Sequence, residues 1–213
     1  MSEGRDRKVQ FEIVLGSSGA AMSVLMGSEI IRNWPEDARE PAQLVIDKYG
    51  EPDEVTGTLL TWQEAGPWKR ISASKAVHLH NFPVPHWDAV ESVIDYRVPV
   101  EFITPIVEFD GSVTIKRTAG EASAQCHDEE ANSLALGLMH DMVTGKKTVQ
   151  EARDYYAKEF LDYRRKLPTP YMKKLNFQPQ SDCGDPDQRV LSEADLKEAK
   201  QEGLKSTMVR AAA

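Results

Sequence analysis

Three of the five histidines of this chain fall within nine residues, at His78, His80 and His86, and Asp88 follows close behind. Imidazole nitrogens and carboxylate oxygens are ligands that divalent transition metals use in proteins. If the segment around His78 is a β-strand, residues two apart share a face, so His78 and His80 point the same way. His86 and Asp88 would then complete the site from the following loop. The sequence predicts a metal site at these four residues, although their spacing matches no established zinc motif.

Two other interpretations of these residues stay open. In one, the strand histidines face solvent and His86 only hydrogen-bonds its own loop. In the other, the protein is a metal-independent enzyme whose site forms from His86, Glu91, Glu121 and Cys126 only after folding. Cys126 directly precedes His127, and strand neighbours point to opposite faces, so this pair makes a poor nucleophile and base. No complete catalytic motif occurs in the sequence, which favours a non-enzymatic function.

The composition is that of a globular, acidic protein. The chain has 213 residues, 40% of them hydrophobic, and its 34 acidic against 26 basic residues give a net charge of −8. Such a chain repels phosphate backbones, so we expect no nucleic-acid partner. Cys126 and Cys183 are too far apart in sequence for a C-x-x-C site. Whether they pair is left open, and a reduced, buried Cys126 is favoured.

The N-terminal segment, 1–40, leaves the cellular location open. Three cations between positions 5 and 8 precede an uncharged run of fifteen residues, Ile13 to Gly27. This is the order found in signal peptides and membrane anchors, and a strand followed by a helix is the alternative. The run is too short to cross a bilayer, which takes about 20 apolar residues. A soluble cytoplasmic chain is favoured over one exported or envelope-anchored through residues 5–27, and no full-length transmembrane span is expected.

Residues 41–166 have the pattern of a single α+β domain. Apolar residues at helical spacing follow Pro41 up to Tyr49, and Gly50 ends this helix. From Val55 to Cys126 the apolar residues recur with a period of two, which predicts an antiparallel sheet of about five to six strands. The predicted strands are 55–63, 68–74, 76–82 and 93–98, followed by a hairpin at 113–126.

Near Asp128 the hydrophobic period changes from two to that of a helix. Acidic residues at 128–130 suit the first turn of a helix, where the helix dipole favours negative charge. Gly145 ends this helix, and Thr148 with Glu151 forms a capping box for the next one. The short turn between them predicts an antiparallel helical hairpin over 128–166, packed on one face of the sheet.

The last segment, 167–213, predicts an extended arm that ends in a short helix. Four prolines between positions 168 and 186 accompany a stretch without periodicity. The helix from Ser192 to Gly203 has few apolar positions, so it docks weakly or needs a partner. We therefore expect a non-catalytic binding or accessory protein of a bacterial-type soluble or envelope complex, with a protein partner bound through this arm. A metal-binding protein using His78, His80 and His86 is the alternative.

The segment Tyr49 to Asp53 resembles a turn in small bacterial envelope proteins of the SmpA/OmlA type. There too a helix closes on Gly-x-Pro before an antiparallel sheet. The resemblance covers only this turn and the strand up to Trp62. Those proteins carry a lipidated cysteine near their start, whereas the first cysteine here is Cys126. The resemblance implies an envelope location at most, and we infer no family membership from it.

Overall fold

The computed structural model describes residues 26–181 and 183–211. Over this range the chain combines a six-stranded antiparallel sheet with seven α-helices, so the predicted α+β fold class is confirmed. The predicted N-terminal strand and most of the uncharged run before Gly27 lie outside the described residues. No helix in the described part is long and apolar enough to cross a bilayer.

The six strands form one open sheet. Their spatial order is β1-β2-β3-β4-β6-β5, and every neighbouring pair is antiparallel. The predicted hairpin at 113–126 adds to the sheet through its second strand. In chain order the strands are β1 (Glu54–Val55), β2 (Leu59–Gln63), β3 (Arg70–His80), β4 (His86–Asp95), β5 (Val113–Lys116) and β6 (Glu121–Cys126).

The helices include the predicted helical hairpin, whose first helix packs against β4 and β6. Asp128 caps the first helix of that hairpin by accepting a hydrogen bond from the Ala131 amide, and the capping box of Thr148 and Glu151 begins the second. The helices are α1 (Gly27–Ile30), α2 (Glu36–Tyr49), α3 (Ile103–Phe109), α4 (Glu129–Val143), α5 (Val149–Arg164), α6 (Pro170–Lys173) and α7 (Glu193–Ala211). Two 3-10 turns, Ile31–Asn33 and Val100–Phe102, precede α2 and α3.

Helix α2 begins at Glu36, five residues before the predicted start, so Pro41 lies inside the helix. Proline has no N–H, and the Asp37 carbonyl therefore loses its partner within the helix. Asp37 is exposed, which lets water take that place. Burial of Trp34 and Ala38 holds the added turn against the core. Tertiary packing outweighs the local preference of proline for the first helical position.

β3 is one strand where the sequence predicted two. Ala73 pairs with Val90 and His78 pairs with Asp88, so four residues of β3 stand opposite one residue of β4. β3 therefore has three extra residues between these two pairs. Because side chains alternate along a strand, an odd number of extra residues means that the side chains after the irregularity lie on the opposite face from the one that regular alternation from Ala73 would give.

This change of face decides which residues of β3 face the helices. Asn132 of α4 donates a 2.9 Å hydrogen bond to the Ser92 hydroxyl, so the face of β4 that carries Ser92 is the one covered by helices. By alternation, His86 and Asp88 lie on that same face. His80 pairs directly with His86 and shares it, whereas Leu79 is exposed.

β4 begins at His86, seven residues before the predicted start at Val93. Pro83 and Pro85 both precede the strand, in the tight turn at 81–85, where the backbone needs no hydrogen bond to a neighbouring strand. His86 is therefore a strand residue and not the loop residue that the sequence predicted.

The hydrophobic core lies between the sheet, α2 and the helical hairpin. Ile31 and Trp34 from the N-terminal segment belong to it, as do Met172 and Leu175 from the predicted arm. Both cysteines are buried and free. The division at 41–166 stays a prediction, but the core draws on residues from either side of it. By contrast, residues 193–205 of α7 are exposed.

Candidate metal centre

The β3–β4 hairpin brings three of the four predicted ligands together. His80 is the last residue of β3 and pairs with His86, the first residue of β4, while Asp88 follows two positions along the same face. One ligand-type atom from each of the three residues lies within 4.8 Å of the other two. We call these three residues the His/Asp cluster.

His78 does not join the His/Asp cluster. It pairs with Asp88 across the hairpin, but it is exposed and its ring nitrogens lie outside the group. Strand alternation correctly suggested a shared face for His78 and His80. Alternation could not show that, of the two histidines, only His80 lies between the buried carboxylates of Asp88 and Asp110.

The ring of His86 is oriented by its own turn. Its Nδ1 donates to the Val84 carbonyl at 2.8 Å, which leaves Nε2 directed at Asp88 Oδ1, 3.1 Å away. Burial alone lowers the pKa of His86, but the interactions with Asp88 and the Val84 carbonyl outweigh burial and raise it. A cation at Nε2, either a proton or a metal ion, is therefore stabilised here.

His80 lies between two carboxylates. Its Nδ1 is 3.4 Å from Asp88 Oδ2, and its Nε2 is 3.6 Å from Asp110 Oδ1. Asp110 is almost completely buried, and its Oδ1 accepts hydrogen bonds from the Ser112 amide and hydroxyl at 2.9 and 2.8 Å. Burial raises the pKa of Asp110, the Ser112 hydrogen bonds oppose that rise, and the charge of Asp88 adds to it.

Several buried atoms at this point lack hydrogen bonds. Among the described residues, five buried side-chain polar atoms have no hydrogen-bond partner, and three of them are His80 Nδ1, Asp88 Oδ1 and Asp110 Oδ2. The approach of His86 to Asp88 is close enough for an ion pair but lacks hydrogen-bond geometry. Each unpaired buried group costs about 1–3 kcal/mol. Their concentration at one point is the pattern expected of atoms placed for a ligand.

An apolar wall encloses the inner side of the cluster. The His80 ring lies 5.0 Å from that of His86 and 6.4 Å from that of Phe82, which packs in turn on Tyr156. Cys126 is buried beside the Ser112 hydroxyl, 3.4 Å away, and burial raises the pKa of its thiol well above the usual value. Such a wall limits the access of water and strengthens electrostatic interactions inside it.

The residues of the metal-independent enzyme hypothesis lie on different faces of the sheet. Cys126 pairs with Val90 on the helix-covered face, whereas Glu91 alternates to the opposite face, where it accepts a hydrogen bond from Ser123. Glu121, also on that face, forms ion pairs with Lys69 and Arg70. Only His86 and Cys126 share the helix-covered side.

Sequence reasoning missed Asp110 and Ser112 as parts of this site. Asp110 directly follows the end of α3 at Phe109, so its place in the chain marks it only as the C-terminal cap of that helix. Nothing in the spacing of Asp110 relates it to His80, thirty residues earlier. Comparison of the chain with protein-family models, curated proteins and solved structures found no match.

Proposed function

We propose that the protein binds one divalent transition-metal ion at the His/Asp cluster. The observation that carries this proposal is the approach of three ligand-type atoms to within 4.8 Å, at a point where buried polar atoms lack hydrogen bonds. His80 would contribute Nδ1, His86 Nε2 and Asp88 a carboxylate oxygen. The remaining Nε2–H of His80 would then face Asp110, a carboxylate–histidine–metal arrangement common in metalloproteins.

The donor set favours some metals over others. Two imidazoles and one carboxylate suit Zn²⁺, Fe²⁺, Co²⁺ or Ni²⁺, whereas Mg²⁺ and Ca²⁺ prefer oxygen ligands throughout. Three protein ligands leave at least one coordination position free, as in catalytic zinc sites.

The charge balance also favours a divalent cation. The two nearby carboxylates, Asp88 and Asp110, would be offset by one divalent ion. Arg153 is close but occupied, because its guanidinium lies over the Phe82 ring and donates to the Phe109 carbonyl.

The test is metal binding by single-residue variants. We expect untagged protein to bind one equivalent of Zn²⁺ or Co²⁺ in isothermal titration, with elemental analysis confirming the stoichiometry. His80→Ala and Asp88→Ala should each weaken binding by more than the about 10–100-fold that loss of an outer-shell partner causes. His78→Ala is the matched control, being an exposed histidine of the same hairpin, and should bind like wild type. Equal losses in His78→Ala and His80→Ala, or no stoichiometric binding by wild type, would contradict the proposal.

A second observation favours binding of a protein partner through the C-terminal arm, and we propose this as a separate function. Four large apolar side chains between positions 190 and 204 are exposed, and Val190 reaches 94%. The others are Leu191, Leu196 and Leu204. Exposed apolar residues close in sequence are a common feature of protein interfaces. The simplest partner is a second copy of the chain.

Light scattering after size-exclusion chromatography tests whether the chain self-associates through the arm. A chain that ends at Arg189 keeps the buried Cys183 and the ion pair between Arg117 and Asp187. We expect the full chain to show a mass that rises with concentration and the shortened chain to stay monomeric. Leu196→Lys combined with Leu204→Lys should act like the truncation. The same mass at every concentration for full and shortened chains would count against self-association through the arm.

A further inference from the structure

A cavity of about 550 Å³ opens beside the His/Asp cluster. It lies between α2, the 81–85 turn, the start of α4 and α5, and His86 is part of its wall. Its volume falls within the range of small-molecule pockets. What the cavity could bind depends on its walls and on its charge.

The walls carry exposed aromatic and aliphatic groups. Trp87 is 38% exposed and Tyr163 is 46% exposed, and Leu44 and Val84 are also exposed at the same cavity. The other three tryptophans of the chain are buried. Large apolar side chains that remain exposed together around a concave surface indicate a binding site for a partly apolar ligand.

The charged groups of the cavity give it a negative potential. Asp37, Glu40, Asp128 and Glu130 line it, against one guanidinium, Arg164. Two histidines, His127 and His86, also lie in the wall, and each faces a carboxylate of its own, Glu40 at 3.2 Å and Asp88 at 3.1 Å. The dipole of α4 adds about half a positive charge at its first turn. That is less than the two full charges of Asp128 and Glu130 at the same turn.

The ionisation of two groups in the wall is consistent with this potential. Burial raises the pKa of Tyr163, and the charges of Glu130, Asp128 and Glu40 raise it further, with Arg164 opposing them. Burial and the neighbouring Asp128 likewise raise the pKa of Glu130, despite the opposing charge of Lys48. Burial is the larger cause of both pKa shifts, and the added contribution of the neighbouring carboxylates agrees with a negative potential in the cavity.

Two aromatic rings of the wall, those of Trp87 and Tyr163, can contact a positively charged group of a ligand. Arg164 already lies over the Phe160 ring, 5.1 Å from its centroid. Within residues 26–181 and 183–205, Trp87 and Tyr163 have no aromatic or cationic partner over their rings. Faces of aromatic rings attract cations, and tryptophan does so most strongly.

We propose that this cavity binds a small organic cation, namely a protonated or quaternary amine joined to an apolar body. The apolar body packs against Leu44, Val84 and the aromatic rings, and the ammonium group faces the carboxylates of α2 and α4. Binding of this cation does not depend on the metal ion, although His86 belongs both to the His/Asp cluster and to the cavity wall.

The experiment uses benzyltrimethylammonium as the probe, with full-length protein kept in EDTA so that metal binding plays no part. Trp87 is the only exposed tryptophan among the four, so its fluorescence reports on the cavity. We expect a saturable fluorescence change with the cation and none with benzenesulfonate, an anion of similar size. Glu130→Gln should weaken binding by about fivefold, as expected for loss of one largely solvated charge. Glu198→Gln, on the exposed helix α7, is the matched control and should leave binding unchanged.

Three results would overturn the proposal. They are the absence of saturable binding, equal affinity for the cation and for benzenesulfonate, and unchanged affinity in a variant that combines Asp37→Asn with Glu130→Gln. Trp87→Phe, followed by titration calorimetry, separates loss of signal from loss of binding. Since EDTA is present throughout, a negative result here leaves the metal site standing, and a failed metal titration leaves the cavity standing.

Discussion

Asp110 is placed to orient His80 although it belongs to a different element. Its Oδ1 is fixed by two hydrogen bonds from Ser112, and the carboxyl lies 3.6 Å from His80 Nε2. Once a metal occupies Nδ1, a carboxylate in this position would accept the Nε2–H and favour that tautomer of the imidazole. Asp110 would then be a positioning residue that acts through His80.

We expect Asp110→Ala to weaken Zn²⁺ or Co²⁺ binding by about 10–100-fold while the three ligands stay in place. Asp110→Asn should recover part of this loss, because the amide oxygen can still accept a hydrogen bond from His80 Nε2 if the ring shifts toward it on metal binding. Isothermal titration of the two variants beside wild type measures the difference. If the alanine and asparagine variants bind equally weakly, Asp110 contributes charge or packing and does not orient His80.

The proposed ligands and their buried partner differ in how far the sequence could predict them. His80, His86 and Asp88 lie within nine residues, so their closeness in sequence was enough to group them, although His86 and Asp88 were expected in a loop. Strand alternation placed His78 beside His80, because it cannot tell which end of a strand is covered. Asp110 comes from a helix end that reaches the hairpin only in the folded chain, and no local pattern encodes that approach.

At the scale of elements, prediction succeeded where the signals are local. The helical hairpin of α4 and α5 was predicted because its caps, Asp128 and Thr148, form hydrogen bonds within three residues of themselves. The three-residue offset of β3 was not predicted, because register depends on the partner strand and on the helices above it. The early start of α2 was missed for the same kind of reason, since Trp34 and Ala38 pack on distant residues.

Two serine/threonine caps with similar geometry allow a matched test of element stability. Thr148 caps α5, which packs in the core, and Ser192 accepts from the Asp195 amide at the start of the exposed helix α7. We expect Thr148→Ala to lower the free energy of unfolding by about 1 kcal/mol. Ser192→Ala should have a much smaller effect, because α7 can fray without exposing the core. Urea denaturation followed by circular dichroism measures both variants.

Similar losses in these two variants would contradict this expectation. They would mean that α7 unfolds together with the core and is part of the same cooperative unit. A loss confined to Thr148→Ala would support the exposed, separate character of α7.

At the scale of the whole molecule, the change of hydrophobic period near Asp128 was enough to predict the fold class. It did not predict that residues from the N-terminal and C-terminal segments pack into the core. Met172 and Leu175 pack in the core as single apolar residues within a proline-containing stretch. Isolated residues of this kind give no periodic signal. Ile31 and Trp34 were missed as core residues for the same reason, since they lie before the first clear helical stripe. Composition correctly predicted a globular chain, but contacts of this kind require knowledge of the packed structure.

The β3–β4 hairpin has a consequence for how a metal would affect thermal stability. All three proposed ligands belong to one short stretch of chain, so the loop that must close to bring them together is short even before folding. The denatured chain would keep part of its metal affinity, and binding to both states reduces the stabilisation that a ligand gives. Saturating metal should therefore raise the melting temperature by less than the native affinity alone implies. Ligands recruited from distant segments would show no such shortfall.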